Sequence, residues 1–246
     1  MKDCFGLKLL LERIFSVIAR KFAFLRRGWL ILKTACMSYP DPLLHMRECR
    51  PAYQITESFS PRKMTLILDL DETLVHSSVK PLDYYNWKIH IPASGDQRSC
   101  TFFVAVRPHT SLFLQAVSRW YEVVVFTASL QHYADPVIDL IDPGNCVSRR
   151  FFRPSCRVEQ GNFLKDISVV RKDLSQVVIV DNCPVAYSLH ADNGIPIQTW
   201  HNDPNDDALL SLLPILSGLV LLKDVRSILS LRRMGSNGRT VVKQAI

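Results

Sequence analysis

The sequence predicts an α/β domain: a doubly wound parallel sheet with a small β-hairpin inserted after its first strand, and an amphipathic helix preceding the domain. Three observations carry this reading. Short apolar runs occur at residues 66–68, 123–126 and 177–180. Runs of this length without polar alternation read as strands buried on both faces, as in parallel sheets. Stretches with apolar residues three and four apart lie between them, so strands alternate with helices. Each run also stops at a carboxylate or hydroxyl, at Asp69, Thr127 and Asp181. In open α/β sheets, ligands bind outside the carboxyl ends of the strands.

The elements follow in chain order. In residues 5–33, Leu7, Leu11, Ile14, Ile18, Phe22, Leu25, Trp29 and Leu32 recur in steps of three and four. That is one stripe of a helix. Lys8, Arg13, Arg20, Arg26, Arg27 and Lys33 fall on the opposite arc, and Lys21 strays from it. A membrane span over 14–32 would bury Arg20, Lys21, Arg26 and Arg27. The central pair alone costs about 6 kcal/mol, against about 5 kcal/mol from the strongly apolar side chains. A helix lying in the membrane interface fits the pattern better. Two other readings stay open. A mitochondrial presequence is also basic and amphipathic, although this segment has one serine and several bulky aromatics. The third is a helix packed on its own domain.

Residues 1–36 are therefore expected to form a membrane-associating helix. Residues 37–61, with Pro40, Pro42, Pro51 and Pro61 and no apolar period, read as a linker. The domain is expected over 62–231. Its first strand, Leu66 to Asp69, precedes an insertion over 74–107. There, residues 87–92 and 101–108 read as a hairpin around Ser94-Gly95-Asp96. Helical spacing over 109–120 precedes a strand at 122–127. A helix over 131–141 stops before Asp142-Pro143-Gly144. Lys165 falls in a loop over 161–169, ahead of a strand at 177–181 and a short last strand at 195–200. Asp203-Pro204 opens a helix over 205–217, and Asp224 caps one over 225–231. Residues 232–246 read as a flexible tail.

Composition narrows the functional classes. Of 246 residues, 48% are apolar and 22% charged, which suits one domain with a real core. The seven cysteines are odd in number and lack any C-x-x-C spacing. That argues against a disulfide framework and a structural zinc site, and for a reducing compartment. The net charge is +7, but residues 1–33 carry eight Lys/Arg against Asp3 and Glu12. The domain itself is thus nearly neutral, and direct nucleic-acid binding is not expected.

The chemistry concentrates at TLILDLDETL (65–74), where Asp69 and Asp71 leave a strand end two residues apart. Such a pair can serve one site as nucleophile and acid/base. With Thr127, Lys165 and the Asp181-Asn182 pair following in chain order, the residues read as one assembled site.

Over Lys63 to Leu231 this pattern resembles the haloacid dehalogenase superfamily. Within it, the chain resembles the phosphatases that act on the RNA polymerase II C-terminal domain, and most of all the Dullard-type nuclear envelope phosphatases. The resemblance implies a Rossmann-like fold and a Mg²⁺-dependent protein serine/threonine phosphatase. Asp69 would attack phosphorus and form an aspartyl-phosphate. Asp71 would protonate the departing serine or threonine oxygen and later deprotonate water. The Asp69 carboxylate, the Asp71 carbonyl and Asn182 would bind Mg²⁺, with Asp181 in its water shell. Thr127 and Lys165 would bind the non-bridging phosphate oxygens. Arg153 matches an arginine near the substrate phosphate, and Leu130 and Tyr133 match positions in a proline-binding pocket. Two positions depart from the pattern. Val79 stands where polymerase-tail phosphatases carry an aromatic, and Cys183 where relatives usually have serine. Cys183 is either a small isostere or an oxidisable thiol.

The resemblance further implies a location on the cytosolic or nucleoplasmic face of the endoplasmic reticulum and nuclear envelope. The implied substrate is a lipin-type phosphatidate phosphatase, which would link the chain to lipid synthesis and nuclear membrane biogenesis. Residues 5–33 would meet the membrane surface, and a small membrane regulatory subunit is the implied partner. The alternatives are a soluble polymerase-tail phosphatase acting in transcription and an inactive phosphoprotein-binding adaptor.

Overall fold

Five parallel strands form the central sheet of the computed structural model, which describes residues 63–93 and 99–231. The expected helix and linker over 1–61, the tail 232–246 and the hairpin turn at Ser94-Gly95-Asp96 lie outside the described residues. The strands and helices in chain order are β1 (Met64–Leu68), β2 (Val75–Ser78), β3 (Trp87–Ile91), β4 (Cys100–Val106), α1 (Thr110–Val117), β5 (Tyr121–Phe126), α2 (Gln131–Ile141), β6 (Val147–Phe151), β7 (Arg157–Glu159), β8 (Asn162–Leu164), β9 (Val177–Asp181), β10 (Gly194–Pro196), α3 (Ala208–Leu219) and α4 (Arg226–Leu229).

The sheet order is β10-β9-β1-β5-β6, and every pairing is parallel. β1 lies at the centre, paired with β5 on one side and β9 on the other. Chain connections leave it in both directions, so the switch point of the doubly wound sheet falls at its end. Leu66, Ile67 and Leu68 are fully buried, as are Val123 to Phe126 and Val177 to Val180. These are the apolar runs that predicted the sheet. On one face Ile67, Val124, Phe126 and Ile179 pack with Ile167, Val170, Val177 and Tyr187. Each such aliphatic side chain contributes about 1.5–3 kcal/mol by leaving water.

The insertion differs from expectation. β3 and β4 pair antiparallel as predicted, but β2 joins β4 on its other edge and completes a three-stranded sheet. Two further elements escaped the sequence reading. The edge strand β6 carries Arg149 and Arg150 in place of an apolar run. Arg149 pairs with Glu122, and Arg150 with Asp135 and Asp139. β7 and β8 form a tight hairpin through Gln160 (φ 50°) and Gly161 (φ 80°). Positive φ at both turn residues matches the twist of the flanking strands. Asp142 ends α2 as predicted, accepting the amides of Cys146 and Val147 at 2.9 and 2.8 Å. Helix α4 starts at Arg226 with Val225, not Asp224, at its N-cap position; Asp224, one residue earlier, accepts the Arg226 amide at 2.9 Å. Helix α3 starts at Ala208, three residues after the expected 205, with Asp206 accepting the Ala208 amide at 3.2 Å. Among the described residues, no helix is long and apolar enough to cross a membrane.

Candidate active site

Asp69, Thr127 and Asp181 are delivered by the carboxyl ends of β1, β5 and β9. The ladders run on past the strands to hold them: the Asp69 amide donates to Val180 O at 3.0 Å, and the Thr127 amide to Phe151 O at 2.9 Å. Three adjacent strand ends thus bring together side chains more than a hundred residues apart in sequence.

Lys165 lies at the centre. Its Nζ donates to Asp69 Oδ1 at 2.5 Å and to Asp181 Oδ2 at 2.7 Å. It is 1% exposed, against 6% for Asp69 and 1% for Asp181. Three anchors set it there: β8 ends at Leu164, the Lys165 amide donates to Ala186 O at 2.6 Å, and Asp166 accepts from the Ser168 amide. The two carboxylates hold the ammonium well above its ordinary pKa even though burial acts the other way. Asp181 is raised by burial first and by the Asp69 charge second. The remaining oxygens are also engaged. Thr73 Oγ1 donates to Asp69 Oδ2 at 2.8 Å, and the Cys183 amide to Asp181 Oδ1 at 2.7 Å.

Asp71 faces a different group of partners. Its Oδ2 accepts from Ser129 Oγ at 2.7 Å and Thr127 Oγ1 at 3.2 Å. Its Oδ1 accepts from the Tyr133 hydroxyl at 2.8 Å. Ser77 Oγ lies 2.6 Å from that hydroxyl, so Ser77, Tyr133 and Asp71 form a chain. Burial raises the Asp71 pKa, the Asp69 charge raises it further, and the Ser129 and Tyr133 hydrogen bonds oppose the rise. An acid held above its usual range, with hydroxyls placed to stabilise its anion, is equipped to give up a proton and take it back.

Asn182 completes the cluster. Thr73 Oγ1 reaches its Oδ1 at 3.3 Å, so one hydroxyl bridges Asp69 and Asn182. The other end of Asn182 donates to Thr199 Oγ1 at 3.2 Å. Arg107, 1% exposed, supports the loop from behind. It makes a two-pronged pair with Asp206 at 2.7 and 2.8 Å and donates to the Thr73 carbonyl at 3.1 Å.

The sequence-predicted residues therefore divide. Asp69, Asp71, Thr127, Lys165, Asp181 and Asn182 converge, and Tyr133 joins them through Asp71. Arg153 sits at the rim: its Nε donates to Ala128 O at 2.6 Å and its guanidinium lies 4.9 Å over the Phe163 ring. No carboxylate pairs with it among the described residues. Leu130 precedes α2 and is half-buried. Val79 and Cys183 are both exposed. Sequence reasoning missed Thr73, Ser77 and Ser129. Thr73 lies inside the motif that was read, whereas Ser77 and Ser129 gave no signal beyond proximity to it.

A family model for the NLI interacting factor-like phosphatases matches residues 64–226. The chain belongs to the NLI interacting factor-like phosphatase family. It is 47% identical over 178 residues to CTD nuclear envelope phosphatase 1 of Xenopus tropicalis, covering 69% of this chain and 72% of that protein. It is 40% identical over 234 residues to the CTD nuclear envelope phosphatase 1 homolog of Drosophila melanogaster, covering 92% of each. Among solved structures it is similar in fold to Fcp1, described as an essential RNA polymerase II CTD phosphatase. That likeness has a TM-score of 0.50 at 21% identity and covers 74% of this chain and 55% of the other. As a member of the NLI interacting factor-like family, the chain is a protein phosphatase with a haloacid dehalogenase-type α/β fold.

Proposed function

We propose that this chain is a Mg²⁺-dependent protein serine/threonine phosphatase that acts through an aspartyl-phosphate on Asp69. One observation carries the reading: two buried carboxylates, Asp69 and Asp181, share the ammonium of Lys165 at the carboxyl end of the parallel sheet, with the acid Asp71 close enough to Asp69 to feel its charge. That leaves an excess of negative charge where a phosphate dianion must bind. A hard divalent cation removes the conflict, and the donors present suit one. Asp69 and Asn182 offer oxygens joined through one Thr73 hydroxyl, and no sulfur or imidazole takes part. Asp69, Asn182 and the Asp71 carbonyl would hold Mg²⁺, with Asp181 behind them. Bound there, it would neutralise charge between nucleophile and phosphate.

The chain's own residues supply the rest. A carboxylate oxygen of Asp69 forms a bond to phosphorus while the bond from phosphorus to the seryl or threonyl oxygen breaks. Asp71 gives its proton to that oxygen. Ser129, Tyr133 and Thr127 stabilise the carboxylate it becomes. Asp71 then takes a proton from water, which attacks phosphorus and releases phosphate and free Asp69. Lys165 keeps Asp69 oriented and offers charge to the non-bridging oxygens, and Thr127 lies beside the same space. Arg153, Leu130 and Tyr133 line the substrate side.

For location and substrate, support comes from relatives named nuclear envelope phosphatases and from the basic amphipathic segment 5–33. The reading is attachment to the cytosolic or nucleoplasmic face of the endoplasmic reticulum and nuclear envelope. There the chain would act on a lipin-type phosphatidate phosphatase with a small membrane regulatory subunit, and so control lipid synthesis. The test of the chemistry is turnover of a phosphoserine peptide. Chelation should abolish it, fresh Mg²⁺ should restore it, and Asn182→Ala should require much more Mg²⁺ for the same rate. Activity that survives exhaustive chelation would overturn the metal assignment.

A further inference from the structure

Beside the carboxylate site, and separate from it, two histidines and a glutamate converge. Glu72, His76 and His201 each offer one ligand atom, and these atoms lie within 4.8 Å of one another. Glu72 Oε1 is 3.0 Å from His76 Nδ1, and His76 Nδ1 is 3.4 Å from His201 Nδ1. The two rings stand edge to face, with centroids 4.8 Å apart and planes at 84°.

If hydrogen bonding alone holds this arrangement, one proton on His76 Nδ1 has to serve both neighbours. His76 Nδ1 faces both Glu72 and His201. If it carries a proton, that proton serves Glu72, and its lone pair is not available to His201. If it lacks one, it can accept from His201 but offers Glu72 nothing. A cation shared by the three groups satisfies all of them, with both imidazoles presenting lone pairs and the carboxylate its charge. The spacing fits. Zn–N bonds of about 2.0–2.1 Å at the tetrahedral angle place two nitrogens about 3.4 Å apart.

The ligands stand on anchored backbone. Glu72 takes a left-handed conformation (φ 58°), and its carbonyl accepts from the Trp200 amide at 2.9 Å. Trp200 in turn donates its indole N–H to Asp203 O at 2.8 Å, which fixes the chain on either side of His201. His76 lies in β2, opposite Ala105 of β4. The donor set also separates this position from its neighbour. Imidazole nitrogens favour borderline cations such as Zn²⁺, whereas the all-oxygen set at Asp69 favours Mg²⁺. Three protein ligands leave one coordination position for water, and the exposed His201 provides a route of entry.

We propose that Glu72, His76 and His201 bind a Zn²⁺-class cation, which clamps the 200–203 loop to the turn that carries Asp71. The test uses the full chain, stripped of metal and then saturated with Mg²⁺, and titrates it with Co²⁺ as a spectroscopic stand-in for Zn²⁺. The expected result is the growth of visible ligand-field bands of low-coordinate Co²⁺, complete at one equivalent and erased by Zn²⁺, with no thiolate-to-metal charge-transfer band. The bands should be lost in the His76→Gln/His201→Gln double variant. They should also be lost in His201→Gln alone, where the changed side chain is exposed and the fold is not at stake. Bands that persist in these variants, a thiolate charge-transfer band pointing to a cysteine, or no bands in the unsubstituted protein would each overturn the proposal.

Discussion

Replacing Lys165 with methionine keeps an unbranched side chain, one atom shorter, and removes the ammonium that, among the described residues, bridges Asp69 and Asp181. In the folded protein Asp69 Oδ1 then loses a 2.5 Å donor and Asp181 Oδ2 a 2.7 Å donor, and both carboxylates are almost completely buried. Thr73 still serves the second oxygen of Asp69, and the Cys183 amide that of Asp181. Removing one partner of a buried pair costs about 3–5 kcal/mol, because a charge stays behind without compensation. Lys165→Met should lose that much in urea unfolding without Mg²⁺, and phosphopeptide turnover should fall by at least about 10³, or about 4 kcal/mol in the barrier. Adding Asp181→Asn separates the two losses. The double variant has one buried charge fewer, so about half of the lost stability should return, whereas turnover should stay low because the substrate phosphate still lacks its ammonium. A wild-type urea midpoint for Lys165→Met, or recovered turnover in the double variant, would refute the account of how this site is held together.

Two further outcomes are expected. Changing Ile18 and Phe22 to Glu should release the full chain from membranes without altering turnover of a soluble phosphopeptide, as followed by fractionation, because the apolar stripe contributes apart from charge. Asp166 is held down at about 2, from 3.8, chiefly by the Ser168 hydroxyl and then by His190. Its contribution to stability is therefore complete above about pH 4 and lost as pH falls through about 2, so the unfolding midpoint of Asp166→Asn should lie below that of wild type at pH 6, with the gap narrowing steadily between about pH 4 and about pH 2.

Much of the site was legible in the sequence because burial leaves a plain trace. A strand covered on both faces must be apolar throughout, so β1, β5 and β9 announced themselves, and the first polar residue after each marked the active edge of the sheet. Lys165 was legible only through its order in the chain. Nothing in GNFLKDISV says that a lysine there is buried between two carboxylates, and the hairpin that delivers it showed only a Gln-Gly turn. β6 was missed because an edge strand can satisfy arginines through ion pairs with Glu122, Asp135 and Asp139. The hydroxyls around Asp71 were missed for a different reason. Ser77, Ser129 and Tyr133 stand on β2, on the loop after β5 and on α2, and only the tertiary fold brings them to one carboxylate. Tyr133 shows the limit well: its period places it on the buried face of α2, and the sequence cannot tell packing from a hydrogen bond to the proton donor.

The central claim is that Asp69 carries the phosphoryl group, and trapping that group tests it most directly. In Asp71→Asn, the acid/base needed to activate water is gone, so a phosphorylated enzyme formed from an activated, readily departing phosphoryl donor should accumulate. Rapid quenching after reaction with a radiolabelled donor should give a label that survives acid, is released by hydroxylamine as an acyl phosphate requires, and maps to the peptide containing Asp69. The label should be absent when Asp69→Asn is added. A label on another residue, or one that persists without the Asp69 carboxylate, would contradict the mechanism.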